Sequence, residues 1–77
     1  MSRKLPDLNA KEVVRALERA GFAQWRQKGS HLTMFRSNDR LALTVPMHFS
    51  KSVPKGTLYT IIRGSGMSVD EFRRLLK

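Results

Sequence analysis

The sequence predicts an α+β fold: a three-stranded antiparallel sheet with helices on one face, in the order helix, strand, strand, strand, helix, closed by a short C-terminal helix. Three observations carry this. Apolar residues between Asn9 and Gly21 recur at helical spacing. From Ala23 to Val45 the pattern changes to alternation, interrupted by the turn sequences Gly29-Ser30 and Ser37-Asn38-Asp39. After Pro46 the helical period returns twice. A chain of 77 residues fits one unit spanning residues 1–77. A domain of this size removes only about 60% of its unfolded surface from water, so its core is modest and any chemistry belongs on an open surface.

In the first element, "LNAKEVVRALERAGF", Asn9 is placed to cap free amides, Glu12 to reach back as in a capping box, and Gly21 to supply a left-handed exit. Ala10, Val13, Val14, Leu17 and Ala20 form its apolar stripe. In the first strand Ala23 and Trp25 share one face and Gln24, Arg26 and Lys28 the other. In the second, Leu32 and Met34 alternate with His31, Thr33 and Phe35; in the third, Leu41, Leu43 and Val45 alternate with Ala42 and Thr44. One sheet face must cover the helices, and Trp25, Leu32, Met34, Leu41, Leu43 and Val45 are expected there. The opposite face then carries Arg26, Lys28, His31, Thr33 and Phe35.

Pro46 ends the third strand, and "HFSKSVPKG" reads as a polar, basic connection. A second helix is expected over "TLYTIIRG", with Leu58, Ile61 and Ile62 inward. In "MSVDEFRRLLK", Ser68 and Glu71 make a second capping box and Met67 is placed to staple against Phe72. This terminal helix is expected to bury Phe72, Leu75 and Leu76.

Fifteen Lys and Arg stand against six Asp and Glu, a net charge of +9. Between Glu18 and Asp70 the only carboxylate is Asp39, whereas Arg26, Lys28, Arg36, Arg40, Lys51, Lys55 and Arg63 fall in that interval. Such a field attracts polyanions, nucleic acid first among them, and would equally attract an anionic membrane or an acidic protein. Cys is absent, which excludes disulfides and thiolate metal sites. No signal-like apolar run and no stretch of ~20 apolar residues occurs, so the chain reads as cytoplasmic with no membrane attachment.

His31 is the residue on which chemistry turns. A strand histidine beside a turn is ordinarily just a solvated side chain, but Arg26 and Lys28 make its surroundings a phosphate site, and imidazole can take and give a proton near neutral pH. RNA brings its own nucleophile, the 2′-hydroxyl next to the scissile phosphate. One imidazole and a cationic surface therefore suffice for cleavage without a metal or other cofactor. The acids at positions 7, 12, 18, 39, 70 and 71 are scattered, unlike the clusters of two-metal sites, and the two histidines with no Cys make a zinc site hard to build.

His48 follows the third strand and is a possible accessory to proton transfer, with a plain loop role at least as well supported. Lys51 and Lys55 precede the second helix, where its free amides favour anions. Phe35 on the open face, and Tyr59, can stack a base or pack on a neighbour.

The segments "GFAQWRQKGSHLTMF", "LALTVPMH" and "KGTLYTIIRGSGMSVDEFRRLL" together resemble the HicA toxins, also called the YcfA-like family, of bacterial and archaeal toxin-antitoxin pairs. The sharpest mark is Gly29-Ser30-His31 after a basic strand, supported by Pro46-x-His48 and by Gly56-Thr57-Leu58 ahead of Ile61 and Ile62. The resemblance runs from about Asn9 to Leu76. It implies a fold like that of double-stranded-RNA-binding domains and an endoribonuclease, an mRNA interferase, with the motif histidine, here His31, essential. It also implies a HicB-type antitoxin that covers the active surface. The segment between Phe35 and Leu41 and the tail after Gly64 are variable territory, so substrate preference does not carry over.

The leading reading is a metal-independent ribonuclease toxin acting on single-stranded mRNA, with His31 as general acid or base, and Arg26, Lys28, Ser30, Lys51 and Lys55 as RNA-contacting candidates. The alternative is a non-catalytic RNA-binding module of the same fold, in which His31 only hydrogen-bonds a 2′-hydroxyl or phosphate. Turnover in excess EDTA separates them.

Overall fold

The computed structural model of the chain describes residues 5–47 and 51–76. The order is α1 (Ala10–Arg19), β1 (Ala23–Lys28), β2 (His31–Arg36), β3 (Leu41–Pro46), α2 (Lys55–Gly64) and α3 (Val69–Arg74). This is the expected α+β arrangement with its extra C-terminal helix.

α1 starts where its cap predicts. The Asn9 Oδ1 accepts from the Glu12 amide and the Glu12 Oε1 from the Asn9 amide, both at 2.8 Å. Two otherwise orphaned donors are satisfied, a device whose side-chain half is typically worth ~1 kcal/mol. At the other end the Gly21 amide donates to the Glu18 carbonyl and the Phe22 amide to the Leu17 carbonyl, each at 3.0 Å. That pair of bonds needs a left-handed residue between them, and Gly21 provides it at φ 98°. The exit carries Phe22 straight into the core beside Leu17; both are buried.

The sheet has the order β1-β2-β3, antiparallel throughout. Leu32 pairs with Val45 and Met34 with Leu43, so the core side reads as expected across β2 and β3. α1 and α2 cover this side with Val13, Val14, Leu17, Leu58, Ile61 and Ile62, all buried. Leu5, Leu8 and Val53, outside the elements, join the same cluster, and the Val53 amide donates to the Leu8 carbonyl at 2.7 Å.

Trp25 is not in the core. It is 64% exposed, because β1 carries a bulge: Gln24 pairs with Met34 and Arg26 with Thr33, and Trp25 is the extra residue between them. Two parities meet here. Counting back from the closing pair Lys28–His31 puts Arg26 outward and Trp25 inward; counting forward from buried Phe22 puts Gln24 inward and Trp25 outward. Both ends are pinned, so the strand absorbs the mismatch with one unpaired residue. Gln24 takes the inward place at the rim and donates to Glu18 of α1 at 3.1 Å.

α2 begins at Lys55, two residues before "TLYTIIRG", with Pro54 as its flanking residue. Lys55 thus belongs to the helix rather than to the connection before it. α3 has the expected capping box, Ser68 Oγ accepting from the Glu71 amide at 3.1 Å and Glu71 Oε1 from the Ser68 amide at 2.8 Å. Phe72 is fully buried, while Leu75, Leu76 and Met67 are half-buried against the core.

Arg36 leaves the cationic surface altogether. At the end of β2 it donates to the Ala20 carbonyl at 2.9 Å and to the Ser65 carbonyl at 3.0 Å, grips Asp39 at 2.8 Å, and lays its guanidinium 4.5 Å from the centre of the Phe22 ring. One side chain thereby joins the end of α1, the end of α2 and the β2–β3 turn.

Two carboxyls link stability to acid. Asp39 is held below its ordinary value first by the hydrogen bond from Arg36, and Asp7 first by the hydrogen bond and then by the charge of Lys55, 2.6 Å away. Each binds a proton less readily folded than unfolded. Their stabilisation is complete above the unfolded value, near pH ~4, and is lost as pH falls through the lower folded values. The melting temperature should therefore hold from neutrality to about pH 5 and drop below about pH 4. Asp39→Asn should remove part of that drop, read by thermal denaturation across the range.

Candidate functional site

The face of the sheet opposite the helices is open. Strand parity puts Arg26 and Lys28 of β1 there, His31, Thr33 and Phe35 of β2, and Ala42, Thr44 and Pro46 of β3. None of these is acidic.

His31 owes its position to the turn before it. Gly29 has φ 60°, and among the described residues Arg40 alone shows a positive φ without being glycine, so Ser30 keeps an ordinary conformation. A glycine at the first central position of a two-residue loop is the type II′ pattern, whose twist suits a hairpin. It makes Lys28 and His31 the closing pair of the β1–β2 ladder. Directly opposed side chains on one face stand about 5 Å apart at Cβ, so ammonium and imidazole share one patch. Arg26 pairs with Thr33, one same-face step further along. The imidazole of His31 is exposed, as are Arg26 and Lys28.

The far side of the hairpin is anchored. His31 pairs with Pro46 of β3, and the Met47 amide donates to the Ser30 carbonyl at 2.5 Å. Ser30 is half-buried, and its backbone carbonyl holds the connection next to His31. His48 follows Met47 directly and lies outside the described residues, so its accessory role has no geometry to test it.

The structure thus brings together Arg26, Lys28, Ser30 and His31. It does not bring Lys55 to them: Lys55 heads α2, on the helical side of the sheet, and its ammonium is engaged by Asp7. Lys51 is exposed on the connection between Met47, docked on Ser30, and Val53, docked on Leu8. It stands on the strand of chain that leaves the patch.

One feature of this face was not expected from the sequence. The Trp25 ring sits 5.9 Å from that of Phe35, tilted by 48°, and the Arg26 guanidinium lies 5.6 Å from the indole centre. The bulge turned Trp25 outward, and the signal that reveals it is the parity conflict between Phe22 and the Gly29-Ser30 turn.

Chemically, the patch can bind a phosphodiester through two cations and present one proton-transfer group to it. Among the described residues no three His, Asp or Glu side chains converge as metal ligands would. No helix of the described residues is long and apolar enough to cross a membrane. Residues 10–67 match the family described as HicA toxin of bacterial toxin-antitoxin. No curated protein matches the chain.

Proposed function

The chain belongs to the HicA toxin family of bacterial toxin-antitoxin systems, and from that premise we propose that it is a metal-independent endoribonuclease that cleaves messenger RNA on the open face of its sheet. The observation that carries the reading is the closing pair Lys28–His31, an exposed imidazole beside a cation on a face where none of the described strand residues is acidic.

Internal attack needs little more. The 2′-oxygen bonds to the adjacent phosphorus, the bond from phosphorus to the 5′-oxygen breaks, and the products are a 2′,3′-cyclic phosphate and a free 5′-hydroxyl. His31 either accepts the 2′-hydroxyl proton or gives one to the departing 5′-oxygen; solvent, which reaches the open face, handles the other transfer. Lys28 and Arg26 hold the phosphate and offset the charge that builds on its oxygens. Ser30 borders the same phosphate, and Lys51 guides the strand more weakly. Lys55 is the weakest of the RNA-contacting candidates, since Asp7 already occupies its charge.

A toxin of this family works against an antitoxin partner. We assign that role to a HicB-type protein that covers the open face and shields His31, a docking that the +9 charge favours where the partner's surface is acidic and does not oppose where it is neutral.

Purified protein incubated with single-stranded RNA in excess EDTA is expected to cut it. RNA that is bound but left whole would instead support the non-catalytic module. Binding should weaken with salt, and because each phosphate neutralised on a single strand contributes about 0.7 to the slope of log affinity against log salt, Lys28→Ala and Arg26→Ala should each flatten that slope by about 0.7. An unchanged slope in a titration of either variant removes that residue from the phosphate contacts.

A further inference from the structure

We infer that Trp25 and Phe35, edged by Arg26, form a stacking platform for an unpaired nucleobase of single-stranded RNA. The inference rests on reading the open face as an RNA surface, and adds to it a second contact that reads the base rather than the backbone.

The bulge is the first support. It gives up one rung of the β1–β2 ladder and places the largest apolar side chain of the chain in solvent, 64% exposed. Bulges commonly re-aim a side chain next to a functional site. The second support is geometry. Phe35, 5.9 Å away and tilted by 48°, props the indole from β2. An exposed cation–π contact such as that of Arg26, 5.6 Å from the indole centre, is weak and readily exchanged. No carboxylate among the described residues pairs with Arg26. A base can therefore take the guanidinium's place over the indole while Arg26 turns to the phosphate of the same nucleotide.

Charge and size favour RNA over a protein as the occupant. The large apolar surface on this face is the exposed Trp25 ring backed by the half-buried Phe35 ring, about the dimensions of a base, and its neighbours are Arg26, Thr33 and the small Ala42. Phe35 lies four residues from His31 along β2, about 13 Å at strand rise, a span that a few nucleotides of single strand cover. The platform thus fixes the register of the strand relative to the reacting phosphate. Stacking of this kind tolerates every base, so it gives grip and register with little sequence preference.

Trp25 is the only tryptophan, so its fluorescence reports the platform directly. The wild-type chain is titrated with a short 2′-O-methyl RNA, which it cannot cleave by internal attack, and with the same backbone carrying abasic sites. The base-bearing strand should quench Trp25 and the abasic strand should not. Trp25→Ala should weaken binding of the base-bearing strand about tenfold, Trp25→Phe no more than about threefold, with the abasic strand unaffected by either. Equal losses on both strands, or no loss on the base-bearing one, overturn the platform. So does a Trp25→Ala variant that keeps RNA binding but no longer captures its antitoxin, which would make the rings a protein contact. Quenching that persists although unmodified RNA is never cut supports the platform and sinks the nuclease reading alone.

Discussion

His31→Ala should slow cleavage of single-stranded RNA by about 10²- to 10⁴-fold, the usual contribution of a positioned acid or base. The side chain is exposed at the first position of β2, so its removal opens no cavity in the core and the chain should still fold, as thermal denaturation of the variant would show. His31→Gln is the sharper control. It keeps a polar side chain that can hydrogen-bond RNA but cannot shuttle a proton, so it should bind like wild type and cut no better than the alanine variant. Cleavage within about threefold of wild type by either variant would remove His31 from the chemistry, since a proton-transfer role requires a loss of at least about 10².

Arg36→Ala should do the opposite: unsettle the fold without touching the reacting groups. It strips the Ala20 and Ser65 carbonyls of a donor, frees Asp39, and uncovers Phe22. Hydrogen bonds from a charged donor at half-buried sites and an arginine laid over a ring together argue for a loss of about 3 kcal/mol. Total stability for a chain of 77 residues is about 4 to 12 kcal/mol, so the variant should melt about 15 °C lower and populate unfolded chain at growth temperature. Arg36→Lys keeps the charge but not the fork that reaches two carbonyls and a carboxylate at once, and should fall between. A melting temperature within a few degrees of wild type for the alanine variant would show the three joined segments to be held by their apolar contacts alone.

The elements were legible because each had a local cause. Asn9 with Glu12 and Ser68 with Glu71 announce helix starts; Gly21 announces an exit; Gly29-Ser30 fixes a hairpin and with it the pairing of Lys28 and His31. The patch was legible for the same reason, since strand parity beside a two-residue loop leaves His31 one direction to face. What alternation within a single strand conceals is any feature set by two distant anchors. Trp25 is outward because Phe22 and the hairpin disagree by one residue, and the strand's own pattern carries no trace of the compromise. Arg36 is likewise indistinguishable from its cationic neighbours until the ends of α1 and α2 arrive beside it. The start of α2 lay two residues early because Pro54 and Lys55 tolerate a first turn as readily as a loop.

The central claim is that the RNA's own 2′-oxygen attacks while the open face supplies a proton shuttle and positive charge. It is tested by a substrate carrying a single 2′-deoxyribose at the cut position, incubated with wild-type protein in EDTA beside its all-ribose twin. The account predicts scission of the ribose strand to a 2′,3′-cyclic phosphate and an intact deoxy-substituted strand. Cutting of both at the same bond would contradict it.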